Sequence, residues 1–204
     1  MNPRLRLAFS SVVALVVVAL AAVVLFGGGH STNADASSGL EGGLIDMPAR
    51  NFSLVDQDGH RASLSEYRGQ VVILTFMYST CQNTCPVEAQ QIRAALDELG
   101  QPIPTLAVSV DPSQDTPINA KRFLFKESLT GRMRFLLGTR AELAPIWKAY
   151  GIAPETGTNL KNSDHSAYVM LVDRRGQLRD GFPDSELTPE ALSHDIRVLQ
   201  AESA

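Results

Sequence analysis

Residues 70–78, "QVVILTFMY", form a near-continuous run of β-branched and aromatic side chains. A strand with one wet face alternates apolar and polar residues, so an unbroken run suits a strand buried on both faces, as in an α/β sheet. The run ends against "STCQNTCP", which holds the only two cysteines of the chain, Cys81 and Cys85. The fold and the chemistry of this protein therefore meet at one strand end.

The segments around that strand supply the layers it needs. "NFSLVDQDGHRASLSEYRG", 51–69, alternates around Asp58-Gly59, a hairpin signal. "PVEAQQIRAALDELG" carries Val87, Ile92, Ala95, Leu96 and Leu99 at helical spacing, with Pro86 near the first turn and Gly100 as a stop. "PIPTLAVSVD", 102–111, reads as a second buried strand, and 116–129 as a helix capped by Thr116 with Pro117 at its first position. "MRFLLG" is a short extended segment. Residues 140–151 read as a helix whose Pro145 sits in or near the first turn. "HSAYVMLVDRRGQLRDGF", 165–182, gives two strands around Arg175-Gly176, and "TPEALSHDIRVLQAES" a closing helix. This alternation predicts a mixed, largely parallel sheet flanked by helices, with an N-terminal hairpin. The polar stretch 152–164 reads as an inserted surface loop, placed just before His165.

The N-terminus bears on compartment. Arg4 and Arg6 precede an uncharged apolar run from Leu7 to Phe26. Twenty helical residues span roughly 30 Å, the thickness of a bilayer core. Residues 1–26 are thus read as a single-pass membrane anchor, with the arginines holding the short end in the cytoplasm and the remainder outside. A cleaved signal peptide is the competing reading, with "ADA" at 34–36 as the small-residue site. Residues 27–45, rich in Gly and Ser, read as a flexible tether, and 46–204 as the domain. Either reading places the domain on the extracytoplasmic, periplasmic side, where disulfides persist. With 204 residues and 44% hydrophobic content the chain can make one sizeable domain plus these extras. A net charge of −4 with no basic cluster gives nucleic-acid binding no electrostatic support.

A strand end, a short loop and a helix start near Cys85 place both thiols where exposed N–H groups favour thiolate. If the segment is locally helical, i to i+4 spacing gives a Cα separation of about 6 Å, within disulfide range. The same spacing aims two soft ligands at one point, suited to Cu(I) or zinc. A static disulfide, an exchanging dithiol and a metal clip all remain open, although a bridge over so short a loop stabilises little. Of the four histidines, His30 lies in the tether, His60 follows the turn, and His194 lies on the polar side of the last helix. His165 stands where the polar loop meets "SAYVMLV", with Asp164 beside it. A lone histidine there is ordinarily a surface or capping residue, and spacing alone does not show that it meets the cysteines. Asp111 and Asp115 lie at the carboxyl end of a strand, where α/β sites gather, which offers a place near the cysteine loop; the preferred reading is turn formation and helix capping. Met77, Met133 and Trp147 read as core.

Three motifs carry a resemblance. "FMYSTCQNTCP" resembles the Sco/SenC signature, "VSVDPSQDTP" that family's next strand end and loop, and "SDHSAYVMLVDRRGQL" its histidine strand. They occur in the right order over residues 50 to about 200. The resemblance implies a thioredoxin-like fold, a membrane anchor, and Cys81, Cys85 and His165 as ligands of copper, Cu(I) or Cu(II). It further implies a metallochaperone that assists assembly of the copper centre of cytochrome c oxidase by delivering copper, by reducing the acceptor's cysteines, or both. The implied partners are the copper-acceptor subunit or another copper chaperone, and the domain is expected to be a monomer. Many members have proline after the first cysteine where this chain has Gln82, a change that spares the ligands and bears on loop rigidity and redox potential. From the enzyme class, the competing expectation is a thiol:disulfide oxidoreductase whose Cys81–Cys85 pair is the redox-active centre.

Overall fold

The computed structural model describes residues 39–152 and 168–202. The apolar run Leu7–Phe26, Asp164, His165 and all of the inserted loop except Ile152 lie outside the described residues. Among the described residues, no helix is long and apolar enough to cross a membrane.

The β-branched run becomes β4 (Val72–Met77), all six residues of which are buried. Two strands precede it as the expected hairpin, β2 (Ser53–Asp56) and β3 (Arg61–Ser63), which pair antiparallel around the turn at Gly59. After it come helix α1 (Thr84–Leu99), β5 (Thr105–Ser109), α2 (Pro117–Lys126), β6 (Arg134–Leu137) and α3 (Arg140–Ala149). The chain returns as β7 (Tyr168–Val172) and β8 (Gln177–Pro183) and closes with α4 (Pro189–Ala201). With β1 (Gly43–Pro48) at one edge, the sheet order is β1-β8-β7-β4-β5-β6-β2-β3. β4 runs parallel to β5 and antiparallel to β7. This is the mixed, thioredoxin-like sheet expected, but it is not largely parallel: only β4–β5 and β5–β6 run parallel, and the other pairs are antiparallel because β7–β8 and β2–β3 are hairpins laid on either side of the parallel core.

Alternation along β4 divides the core into two. Ile73 and Met77 face a cluster with Ile92, Phe123 and Leu192, drawn from α1, α2 and α4. Val72, Leu74 and Phe76 face the opposite cluster, where Leu143, Ile146 and Trp147 of α3 pack. Helices therefore cover both faces, as a strand with no wet side requires.

Local sequence explains the helix ends. Thr116, Thr139 and Thr188 each accept a hydrogen bond from the N–H three residues on, from Asn119, Glu142 and Ala191. Gly100 ends α1 at φ 64°, a left-handed turn that favours glycine. Pro145 lies deeper than expected, as the sixth residue of α3. It removes one bond to the Ala141 carbonyl, while the Thr139–Glu142 capping box and the Tyr150 N–H to Ile146 hold the two ends.

The stretch read as tether ends earlier than residue 45. β1 begins at Gly43 and pairs antiparallel with β8, and the N–H groups of Glu41 and Gly42 bond the Asp195 carboxylate at 2.8–3.0 Å. Glycine signals flexibility in composition, but Gly42 is here a close approach: a Cβ there collides with the Asp180 carboxyl.

Candidate metal centre

β4 delivers the chain to a loop in which the Cys81 N–H bonds the Tyr78 carbonyl at 3.2 Å, closing a tight turn. Helix α1 then starts without a side-chain cap from Asn83. The first four N–H groups of a helix need outside acceptors. Here the Cys85 N–H donates to Cys81 Sγ at 3.3 Å, so the sulfur does the work of a cap.

Both thiols are free and nearly buried, Cys81 8% and Cys85 7% exposed. They are nevertheless electrostatically unlike. The Cys81 thiol is lowered to about 5, first by a hydrogen bond from Cys85, then, against the opposing effect of burial, by the N–H groups of Cys85 and Asn83 and by the Tyr78 side chain. Cys85 moves in the opposite direction, because it keeps the proton that it donates to Cys81 and because it is buried. The pair thus holds one proton between two sulfurs, with the charge on Cys81. Such a pair can do two things: lose two electrons to close a disulfide, or exchange its proton for a soft monovalent cation at no change in net charge.

One buried carboxyl braces this loop and a second lies near the two sulfurs. Asp115 is 6% exposed and accepts the Ser79 N–H and Oγ, each at 2.6 Å, and Ser109 Oγ at 2.5 Å. Burial raises its pKa against those bonds. Its neighbour Asp111 accepts the Ser113 N–H at 3.1 Å, the turn role expected of it. Glu88, 2% exposed, lies behind the pair on α1, accepts a bond from Thr75 Oγ1, and is pushed up to about 8 by burial, with Asp184 and Cys81 adding to the shift. Sequence reasoning missed Glu88. The available signal was its place three residues after Cys85, on the same helix face.

The other residues fall as expected. Met77, Met133 and Trp147 are core, and the Trp147 indole N–H bonds the Ser109 carbonyl at 2.9 Å. His60 is 77% exposed, and His194, half-exposed, bonds Asp195 at 2.8 Å. His165 lies outside the described residues, so the described part of the centre contributes the two sulfurs. Among the described residues, no three of His, Cys, Asp and Glu gather as a metal-binding group.

A thiolate–thiol pair at the first turn of a helix, on a sheet of this order, defines a thioredoxin-like dithiol domain. The chain belongs to the SCO1/SenC family, whose sequence profile matches residues 46–201. Protein sco1 of Schizosaccharomyces pombe is 26% identical over 155 residues, 71% of this chain and 58% of that protein. The copper-bound structure of Bradyrhizobium japonicum ScoI aligns with a TM-score of 0.60 and 26% identity, over 75% of this chain and 99% of that one. BsSco, a member of the Sco family of cytochrome c oxidase assembly proteins with an identified disulfide switch, shares the fold at a TM-score of 0.67 and 21% identity, over 78% and 97% of the two chains. The chain spans 46–58% of the length of the first curated relatives it matches.

Proposed function

We propose that this protein is a membrane-tethered, extracytoplasmic copper-binding metallochaperone that assists assembly of the copper centre of cytochrome c oxidase. The observation that carries this reading is the pair of free, buried thiols at the first turn of α1, with Cys81 Sγ under the Cys85 N–H, two soft ligands held together as Cu(I) prefers. Family membership supports it, since the Sco family is described as one of cytochrome c oxidase assembly proteins and a relative holds copper. His165 is the proposed third ligand, an imidazole that tolerates both Cu(I) and Cu(II). Support for the tether and compartment comes from Arg4, Arg6 and the apolar run Leu7–Phe26. The copper is cargo: it enters as the pair's proton leaves, and passes by ligand exchange to an acceptor subunit or another copper chaperone.

Copper titration of the purified chain tests this. One copper per chain is expected, with a sulfur-to-copper charge-transfer band in the Cu(II) form. Cys81→Ser or Cys85→Ser abolishes the band, and His165→Ala changes it and weakens binding at least tenfold. A His165→Ala protein with wild-type affinity and spectrum removes His165 from the site.

The Cys81 thiolate favours a second reading, a thiol:disulfide oxidoreductase acting on extracytoplasmic cysteine pairs. Cys81 would attack a partner disulfide and Cys85 would resolve the mixed disulfide, leaving the partner as a dithiol and this chain oxidised. Partner reduction that survives His165→Ala unchanged selects this reading.

A further inference from the structure

The loop carrying the two cysteines is held from outside itself. Ser79, the second residue of the turn closed by the Tyr78 carbonyl and the Cys81 N–H, gives both its N–H and its hydroxyl to one oxygen of Asp115. The other carboxylate oxygen takes Ser109 Oγ. Ser109 is the last residue of β5, directly opposite Met77 in the parallel ladder. The same residue's carbonyl is fixed by Trp147. Asp115 therefore straddles two neighbouring strand ends and ties the start of the dithiol loop to the rigid one.

The neighbouring strand pairing and helix start are made by other groups. β4 and β5 pair over five residues without it, and α2 is capped by Thr116. Burying a carboxyl is costly unless each oxygen is satisfied, and these three donors all serve the one tie between the loop and β5.

We propose that Asp115 is a positioning residue for the dithiol, holding the Tyr78–Cys81 turn so that Cys81 Sγ stays under the Cys85 N–H. The inference rests on the reading that Cys81 and Cys85 are the working groups. Released from Asp115, the turn loosens and Cys81 Sγ leaves the helix start. The reduced pair then loses the Cys85 N–H bond to Cys81 Sγ that the helix start supplies. The disulfide form gains relative to the dithiol, so the potential becomes more negative.

The test is the dithiol–disulfide equilibrium of the copper-free protein against glutathione, measured for wild type, Asp115→Ala, Asp115→Asn and Ser79→Ala. Asp115→Ala is expected to shift the equilibrium about tenfold toward disulfide, about 30 mV for a two-electron couple. Asn keeps an oxygen for Ser79 and offers its N–H to Ser109, so Asp115→Asn stays within about threefold of wild type. Ser79→Ala, which loses one bond and is the safer variant for folding, shifts about threefold in the same direction as Asp115→Ala. Equal shifts in the Ala and Asn variants overturn the proposal in favour of a charge effect. A lower melting temperature with unchanged equilibria in Asp115→Ala and Ser79→Ala overturns it in favour of a purely structural role. Because no copper is present, failure of the copper reading in wild type leaves this result separately legible.

Discussion

Two chemically identical thiols four residues apart end up with opposite characters, and the cause lies in their partners more than in their exposure. Cys81 collects donors from Cys85, Asn83 and Tyr78, whereas Cys85 is the donor of the bond they share. Alkylation should accordingly label Cys81 alone near pH 6, with a rate midpoint near 5, as read by peptide mass spectrometry. Cys85→Ala removes the largest stabilising partner, so the midpoint rises toward the ordinary thiol value and the rate at pH 6 falls roughly tenfold or more. Equal labelling of both cysteines in wild type contradicts the assignment. Cys81 and Cys85 were legible in the sequence because spacing and position at a strand-to-helix junction are local properties. Glu88 and Asp115 were less so. A carboxylate on a helix or in a Gly-free polar turn is ordinarily solvated, and only the approach of Thr75 or Ser79 across the fold gives it a role.

At the scale of elements, threonine is the recurring start signal, and α1 is the exception whose first turn leans on a sulfur. Thr139→Ala removes the side-chain half of the capping box of α3, leaving the backbone N–H of residue 139 on Glu142, and should cost about 1 kcal/mol in denaturant unfolding, with the thiol titration unchanged. The Thr116 cap, the hairpin at Asp58-Gly59 and the buried strands were read from the sequence, because each depends on residues adjacent in the chain, and the Thr139 and Thr188 caps carried the same local signal unread. β1 was not, since its pairing with β8 joins segments 129–138 residues apart and its glycines imitate a linker. Pro145 was placed too near the helix start because composition shows that a proline is tolerated, not by how many turns.

For the whole molecule, two buried carboxyls couple stability to pH. Asp180 is pushed up to about 8 by burial and by its hydrogen bond to Asp195, and Glu88 is likewise raised to about 8. Each keeps its proton in the folded chain at pH values where the unfolded chain has lost it. The folded state then binds more protons between about pH 4 and pH 8, so stability falls as pH rises through that window and levels off above it. Asp180→Asn, whose amide donates where the proton did, should flatten the slope by about 1.4 kcal/mol per pH unit, measured by denaturant unfolding at pH 5 to 8. A slope identical to wild type shows that Asp180 is ionised in the folded protein.

The early start of β1 has one more consequence, concerning self-association. Sheets rich in β-branched residues invite other chains to extend them at an open edge. At one margin β3 is only three residues long and begins with Arg61. At the other, β1 exposes Leu44 and Met47, but its register breaks between them and it ends in Pro48, which has no N–H to offer. The segment composed most like a linker thus covers β8 and presents in its place a broken ladder, a poor template for another strand.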